Sequence, residues 1–164
     1  MFHSAFLEVG AFTLTMAQLL EDVELVLSNK TTVKASEALK GKIVALYFSA
    51  HWCAPCKMFT PKLKEFYDAL KAAGKNFEVV FVSFDRNAKD LEKYYNELHG
   101  DWPYVEFGDE AIETLSMGFN VSDIPALHII DAGGRQLVDN ARPLVTASGA
   151  EGAVALFEEW AKLL

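Results

Sequence analysis

Two nearly continuous apolar runs organise the chain, Ile43-Val44-Ala45-Leu46-Tyr47-Phe48 and Phe77-Glu78-Val79-Val80-Phe81-Val82-Ser83-Phe84. Each is short and leaves few polar positions to face water, which predicts strands covered on both sides. Between them apolar residues recur at helical spacing, at Met58, Phe59, Leu63, Phe66, Tyr67 and Leu70. They predict a helix from about Cys53 to Ala73 that stops at Gly74. Pro61 falls inside that helix, removes one backbone donor and predicts a bend.

The rest of the pattern is weaker. Val23 to Leu27 and Thr31 to Val33 read as short strands joined by a Ser28-Asn29-Lys30 turn, and Ser36 as the cap of a brief helix ending near Gly41. Asp85-Arg86-Asn87 opens a helix through Leu98, the aromatic stretch 101–107 reads as a loop, and Glu110 to Met117 as a short helix. Ile124 to Ile130 is a strand entered through Pro125. Asp131-Ala132-Gly133-Gly134 turns it into a strand over Arg135 to Val138, and Gly149 to Leu164 forms a closing helix. Strands alternating with helices, then a late hairpin, predict an α/β sandwich with a mixed sheet.

Composition narrows the function classes. The 164 residues are 51% hydrophobic, enough for one sizeable core without disulfide staples, and two cysteines make at most one bridge. A formal charge of −8 argues against nucleic acid as a partner. The charge is uneven: residues 30–75 carry nine Lys against three acids, and residues 76–164 carry six bases against sixteen acids. Most of this is expected to be solvated surface; the sharper alternative is a mildly basic rim near the cysteines that attracts acidic partners. No apolar run approaches the ~18 residues of a membrane span. Residues 1–16 read as an N-terminal extension, poor as a signal peptide, ending where Met16 offers a second start; they are an alternative-start segment or an expression remnant. Their apolar side chains are candidates for docking on the domain or on another copy.

The two cysteines, Cys53 and Cys56, stand at C-x-x-C spacing between the first buried strand and the long helix. Cys53 is thereby predicted at the helix mouth and Cys56 one turn inside. Free backbone N–H groups and the helix dipole favour a thiolate at the mouth. A fall in pKa from about 8.5 to about 7 corresponds to roughly 2 kcal/mol and makes about half of the thiol ionised at neutral pH. Cys53 is then the nucleophile and Cys56 the resolving partner.

Trp52-Cys53-Ala54-Pro55-Cys56-Lys57, Pro61 and Ile124-Pro125 together resemble the thioredoxin superfamily. Tyr47 to Cys53, Phe59-Thr60-Pro61-Lys62-Leu63, Val82-Ser83-Phe84-Asp85 and the Trp102 to Phe107 loop look like its tryparedoxin and nucleoredoxin branch, over about residues 17–164. The resemblance implies a thioredoxin-like three-layer sandwich, a central mixed β-sheet flanked by helices. It implies a cis-proline at Pro125 that faces the redox pair and presents the backbone of Ile124 to an extended substrate, with Trp52, Ala54 and Pro55 completing the groove. Three positions depart from the branch pattern. Ala54 replaces a proline between the cysteines, Ala126 a threonine after the cis-proline and Glu106 a proline in the aromatic loop. Tyr47 stands where thioredoxins proper carry a buried acid, as in tryparedoxins, so Tyr47, water or Asp85 are the candidates for proton transfer at Cys56.

Each residue also has a plainer account. The cysteines fit a structural bridge or half a zinc site, although His3, His51, His99 and His128 supply no second ligand pair at zinc spacing, and no metal is expected. Trp52 is either core or a substrate contact. His51 is a surface residue at a strand end or, when protonated, an aid to the Cys53 thiolate; Lys57 is a solvated helix residue or gives electrostatic help to the pair. His128 reads as a satisfied core histidine.

The leading expectation is a thiol–disulfide oxidoreductase that reduces protein disulfides. The alternative is a redox-sensing binding protein whose partner affinity follows the state of the pair. No nucleotide-binding motif is present, so no bound cofactor is expected and electrons come from an external dithiol or a separate reductase. A monomer is expected, with weak dimerisation through the extension as the alternative, in the cytoplasm and also the nucleus.

Overall fold

The computed structural model describes residues 6–9, 12–15 and 20–164. Seven strands form one mixed sheet: β3 (Glu24–Val26), β4 (Thr32–Lys34), β5 (Ile43–Ser49), β6 (Phe77–Ser83), β7 (Tyr104–Val105), β8 (Ala126–Ile130) and β9 (Gln136–Val138). Their spatial order is β4-β3-β7-β6-β5-β8-β9. The two apolar runs of the sequence are the neighbouring parallel strands β5 and β6, with Ile43 opposite Phe77 and Ser49 opposite Ser83, and every residue of both is buried. On the other side of β5, β8 runs antiparallel and carries the chain into β9. Preceding all of these, β1 (Phe6–Val9) and β2 (Phe12–Thr15) pair antiparallel as a separate hairpin. The expected docking of the extension's side chains lies outside the described residues.

The pleat of β5 sends successive residues to opposite faces and so to two cores. Ile43, Ala45 and Tyr47 point toward α2 (Ala54–Ala72), α3 (Ala88–Leu98), α5 (Arg142–Ser148) and α6 (Ala153–Ala161), where Phe59, Phe66, Tyr94 and Trp160 are buried. Val44, Leu46 and Phe48 point toward α1 (Ala35–Ala38) and α4 (Glu110–Gly118), and pack with Leu39 and Leu115. Helices thus cover both faces of the sheet, as the resemblance implied. α2 continues through Pro61 to Ala72, capped by Ala73 and followed by Gly74, whose φ of +71° suits the residue after a helix cap.

Three expectations are corrected. Ser36 caps nothing: it lies inside α1, whose first N–H, from Ala35, is taken by the Val23 carbonyl at 2.8 Å. A second helix, α5, precedes the closing one; it starts with Pro143 in its first turn, where no N–H is needed, and stops at Gly149, whose φ is +59°. The aromatic stretch is not all loop, because β7 inserts between β6 and β3 and completes the sheet.

Candidate active site

β5 ends at Ser49, a turn follows, and α2 begins at Ala54 with Cys53 as its N-cap. The turn is closed by the Cys53 N–H donating to the Ala50 carbonyl over 3.2 Å. Cys53 and Cys56 are joined as a disulfide, with Cα atoms 5.2 Å apart. The Cys56 N–H donates to the Cys53 sulfur over 3.3 Å, the contact a capping oxygen would normally make. On reduction the same N–H and the helix dipole face any charge on Cys53. Cys53 retains 6% of its exposure and Cys56 none, so one sulfur is within reach of a partner and the other is behind it. Pro55 lies in the first turn, where its missing N–H costs nothing, and Ala54 and Pro55 are both exposed beside the pair.

A second segment meets the pair from β8. The Ile124–Pro125 peptide is cis, as the resemblance implied, and the Ile124 carbonyl oxygen lies 3.8 Å from the Cys53 sulfur. Ile124 and Phe84 pack against the Ala50, Cys53 and Cys56 cluster, and Pro125 is buried beneath. Trp52 is not core. Its ring is 52% exposed, anchored by Nε1 donating to the Phe84 carbonyl over 3.1 Å, with the Arg86 guanidinium 5.3 Å above it. Trp52, directly before Cys53, is an exposed apolar side chain beside the site, and Met58, two residues after Cys56, is exposed on α2.

Beneath Cys56 lies a cluster of hydroxyls. Thr60 donates to the Cys56 carbonyl over 2.8 Å, and Tyr47 reaches the same oxygen at 3.4 Å. Tyr47 also bonds Thr60 at 2.7 Å and accepts from Ser49 at 3.1 Å, while Tyr94 bonds both Ser49 and Thr60. Burial, and then the neighbouring Tyr94, push the Tyr47 pKa far up; burial raises that of Tyr94 also. The raised pKa values keep both phenols protonated, and the Tyr47 hydroxyl is placed as a hydrogen-bonding partner of the Cys56 carbonyl. Ser49, Thr60 and Tyr94 escaped the sequence reading because three separate elements supply them.

The family model described as Thioredoxin-like matches residues 41–136. The chain belongs to the thioredoxin-like family. It is 37% identical over 144 residues to a probable nucleoredoxin 1 of Arabidopsis thaliana, an alignment that takes in 88% of this chain and 25% of that protein. The chain thus spans about a quarter of that relative's length. Among solved structures, the thioredoxin from Wuchereria bancrofti superposes with a TM-score of 0.74 at 41% identity, covering 85% of this chain and 96% of that one. Native tryparedoxin I from Crithidia fasciculata superposes with a TM-score of 0.69 at 38% identity, covering 78% and 85%. These neighbours place the chain in the nucleoredoxin and tryparedoxin branch of its family.

Within this thioredoxin-like site the remaining candidates take defined places. Asp85 is buried; its Oδ1 accepts from the His51 N–H over 2.8 Å and its Oδ2 from Ser83 Oγ over 2.7 Å. It fixes the turn before Cys53 and makes no hydrogen bond to either cysteine among the described residues. His51 is half-buried, its ring edge-on to Tyr94 at 6.0 Å. Lys57 is exposed on α2. His128 is buried on β8 and bonds Gln136 at 3.1 Å, a satisfied core histidine whose pKa is lowered by burial. Among the family departures, Ala126 is buried on β8 and Glu106 is exposed. The basic rim is not what borders Trp52. The groove there is lined by Asp85, Asp109, Glu110 and Glu113, all from the acidic half of the chain, as is Arg86 over the Trp52 ring.

Proposed function

We propose that this domain is a thiol–disulfide oxidoreductase that reduces disulfide bonds in proteins. The observation that carries the reading is the pairing of Cys53 at the cap of α2 with the Ile124 carbonyl 3.8 Å away, beside exposed Trp52 and in front of a fully buried Cys56. An extended client segment laid along Ile124 brings its disulfide to Cys53. The Cys53 thiolate attacks one client sulfur; the client S–S bond breaks and the departing thiolate takes a proton from water. Cys56, after losing its proton to solvent, attacks Cys53, the mixed disulfide breaks, and the second client thiol leaves protonated. The client has gained two electrons and two protons, and the Cys53–Cys56 pair has lost them. An external dithiol or a separate reductase then reduces the pair, in a compartment that keeps such donors reduced, the cytoplasm or nucleus.

The test is turnover of insulin disulfides by catalytic amounts of the protein with a dithiol donor, together with a Cys56→Ser variant. Many bonds reduced per molecule, and a Cys53-linked mixed disulfide that accumulates in the variant, support the proposal. A single reduction per molecule would replace it with a redox-sensing role, and no acceleration over the donor alone would overturn both.

A further inference from the structure

Beside the redox pair lies a groove of about 580 Å³ that disulfide exchange at Cys53 does not itself need. Its apolar side is Trp52, Phe84, Phe107 and Ile112, and two of these are large exposed aromatics, Trp52 at 52% and Phe107 at 41%. Its charged lining is acidic, Asp85, Asp109, Glu110 and Glu113, and the Arg86 guanidinium lies over the Trp52 ring at its edge. The groove is continuous with the site, because Phe84 packs against the cysteine cluster and Trp52 directly precedes Cys53.

The four acids are not equivalent. Asp85 is held by His51 and Ser83, and Asp109 caps α4 by accepting from the Ala111 N–H over 2.8 Å. Glu110 and Glu113 are exposed, and in the hydrogen bonds they make it is their backbone carbonyls that accept, from Thr114 and Ser116. Acids in a first helical turn stabilise the helix itself, but that role does not require an aromatic wall opposite them. Arginine joins the two halves: its planar cation lies flat on an aromatic face while its N–H fork reaches carboxylates.

We infer that this groove selects client proteins by a basic flank. It takes an arginine, or less well a lysine, placed roughly two to four residues from the target cystine at about 3.3 Å per extended residue. The cation sits against Phe107 and is neutralised by Glu110 and Glu113, while the Trp52 ring already carries the chain's own Arg86 and the cystine lies at Cys53. The inference rests on the proposed reduction of protein disulfides and adds which proteins are preferred.

The experiment uses the full chain and three disulfide peptides identical except for flanking Arg, Gln or Glu residues. Wild type is expected to rank them Arg, Gln, Glu in kcat/KM, with about tenfold between the extremes at low salt and a smaller spread at 1 M salt, where the Debye length falls to about 3 Å. Glu110→Gln/Glu113→Gln is expected to bring the three within about twofold of one another. A wild type that reduces all three equally, or a double variant that keeps the full ranking, overturns the inference and leaves the oxidoreductase reading standing. Binding of the same peptides with serine in place of cysteine, followed by tryptophan fluorescence, decides the case in which none is reduced. Tighter binding of the Arg peptide, abolished in the double variant, then supports the groove while the catalytic reading fails. Equal binding of the Arg and Glu peptides overturns the groove.

Discussion

The phenolic oxygen of Tyr47, on β5, lies 3.4 Å from the carbonyl oxygen of Cys56, on α2, and Thr60 donates to that same carbonyl. The strand beneath the site and the turn that carries the resolving cysteine are thereby tied together. Tyr47→Phe keeps the ring against Phe59 and Phe81, at centroid distances of 5.8 and 6.2 Å, and removes only the hydroxyl. Ser49 and Thr60 each lose one partner, so a loss of about 1–2 kcal/mol is expected in urea denaturation. Resolution of a mixed disulfide by Cys56 is expected to slow severalfold in stopped-flow measurements. Superimposable denaturation and resolution curves would show that the hydroxyl cluster only fills space.

In the reduced protein Cys53 is expected to be the more acidic and more accessible thiol. It caps α2 and receives the Cys56 N–H, whereas Cys56 is wholly buried. Brief alkylation at pH 6.5 followed by peptide mass analysis should find the label on Cys53. Label first on Cys56 would reverse the assignment of nucleophile and resolving residue.

How much of this was legible follows from how local each signal is. β5, β6 and α2 were readable because strands buried on both faces are unbroken apolar runs, and a long helix repeats its apolar stripe. The positions of Cys53 and Cys56 came with them. β7 was not readable: at two residues, entered through Pro103, it is held by its neighbours β6 and β3 and not by a pattern of its own. The same holds for Gly100, where a β-carbon would come within 2.5 Å of the Trp102 ring, a contact no local rule anticipates. The acidic groove was not legible because charge was counted along the chain, which offered only solvated surface or a basic rim near the cysteines. The residues that border Trp52 in space come from segments 83–85 and 107–113, not from the lysine-rich stretch that surrounds it in sequence.

Trp52 is half exposed and held by one hydrogen bond to the Phe84 carbonyl. Trp52→Ala is therefore expected to change stability by less than about 1 kcal/mol, as for surface positions, yet to remove the largest apolar contact a client can make beside Cys53. KM for a protein disulfide should rise severalfold, and the rate with a small disulfide should fall by less. Equal losses for both substrates would mean that Trp52 acts on the cysteines themselves and not on the client.

His99 gives the chain a built-in acid sensitivity. Trp102 Nε1 donates to its Nδ1 over 3.0 Å, which leaves the ring proton on Nε2, where it has no hydrogen-bond partner among the described residues. The ring is packed against Phe81 and Tyr94 at 4.2 and 4.3 Å. Protonating Nδ1 would set two donors against each other in a site without water's dielectric, and burial lowers the pKa from 6.5 to about 3. The sign follows. The folded chain holds His99 neutral while the unfolded chain takes up a proton below about 6.5, so stability is full above that pH and declines as pH falls toward 3. By pH 5.5 the loss from this one group is about 1.4 kcal/mol. His128, also lowered by burial, adds in the same direction, and Glu78, raised by burial, opposes it. His99→Gln, whose amide oxygen can still accept from Trp102, is expected to be less stable at pH 7.5 but to lose about 1.4 kcal/mol less than wild type between pH 7.5 and 5.5 in urea denaturation. Parallel losses in the two proteins would show that His99 takes up its proton without unfolding.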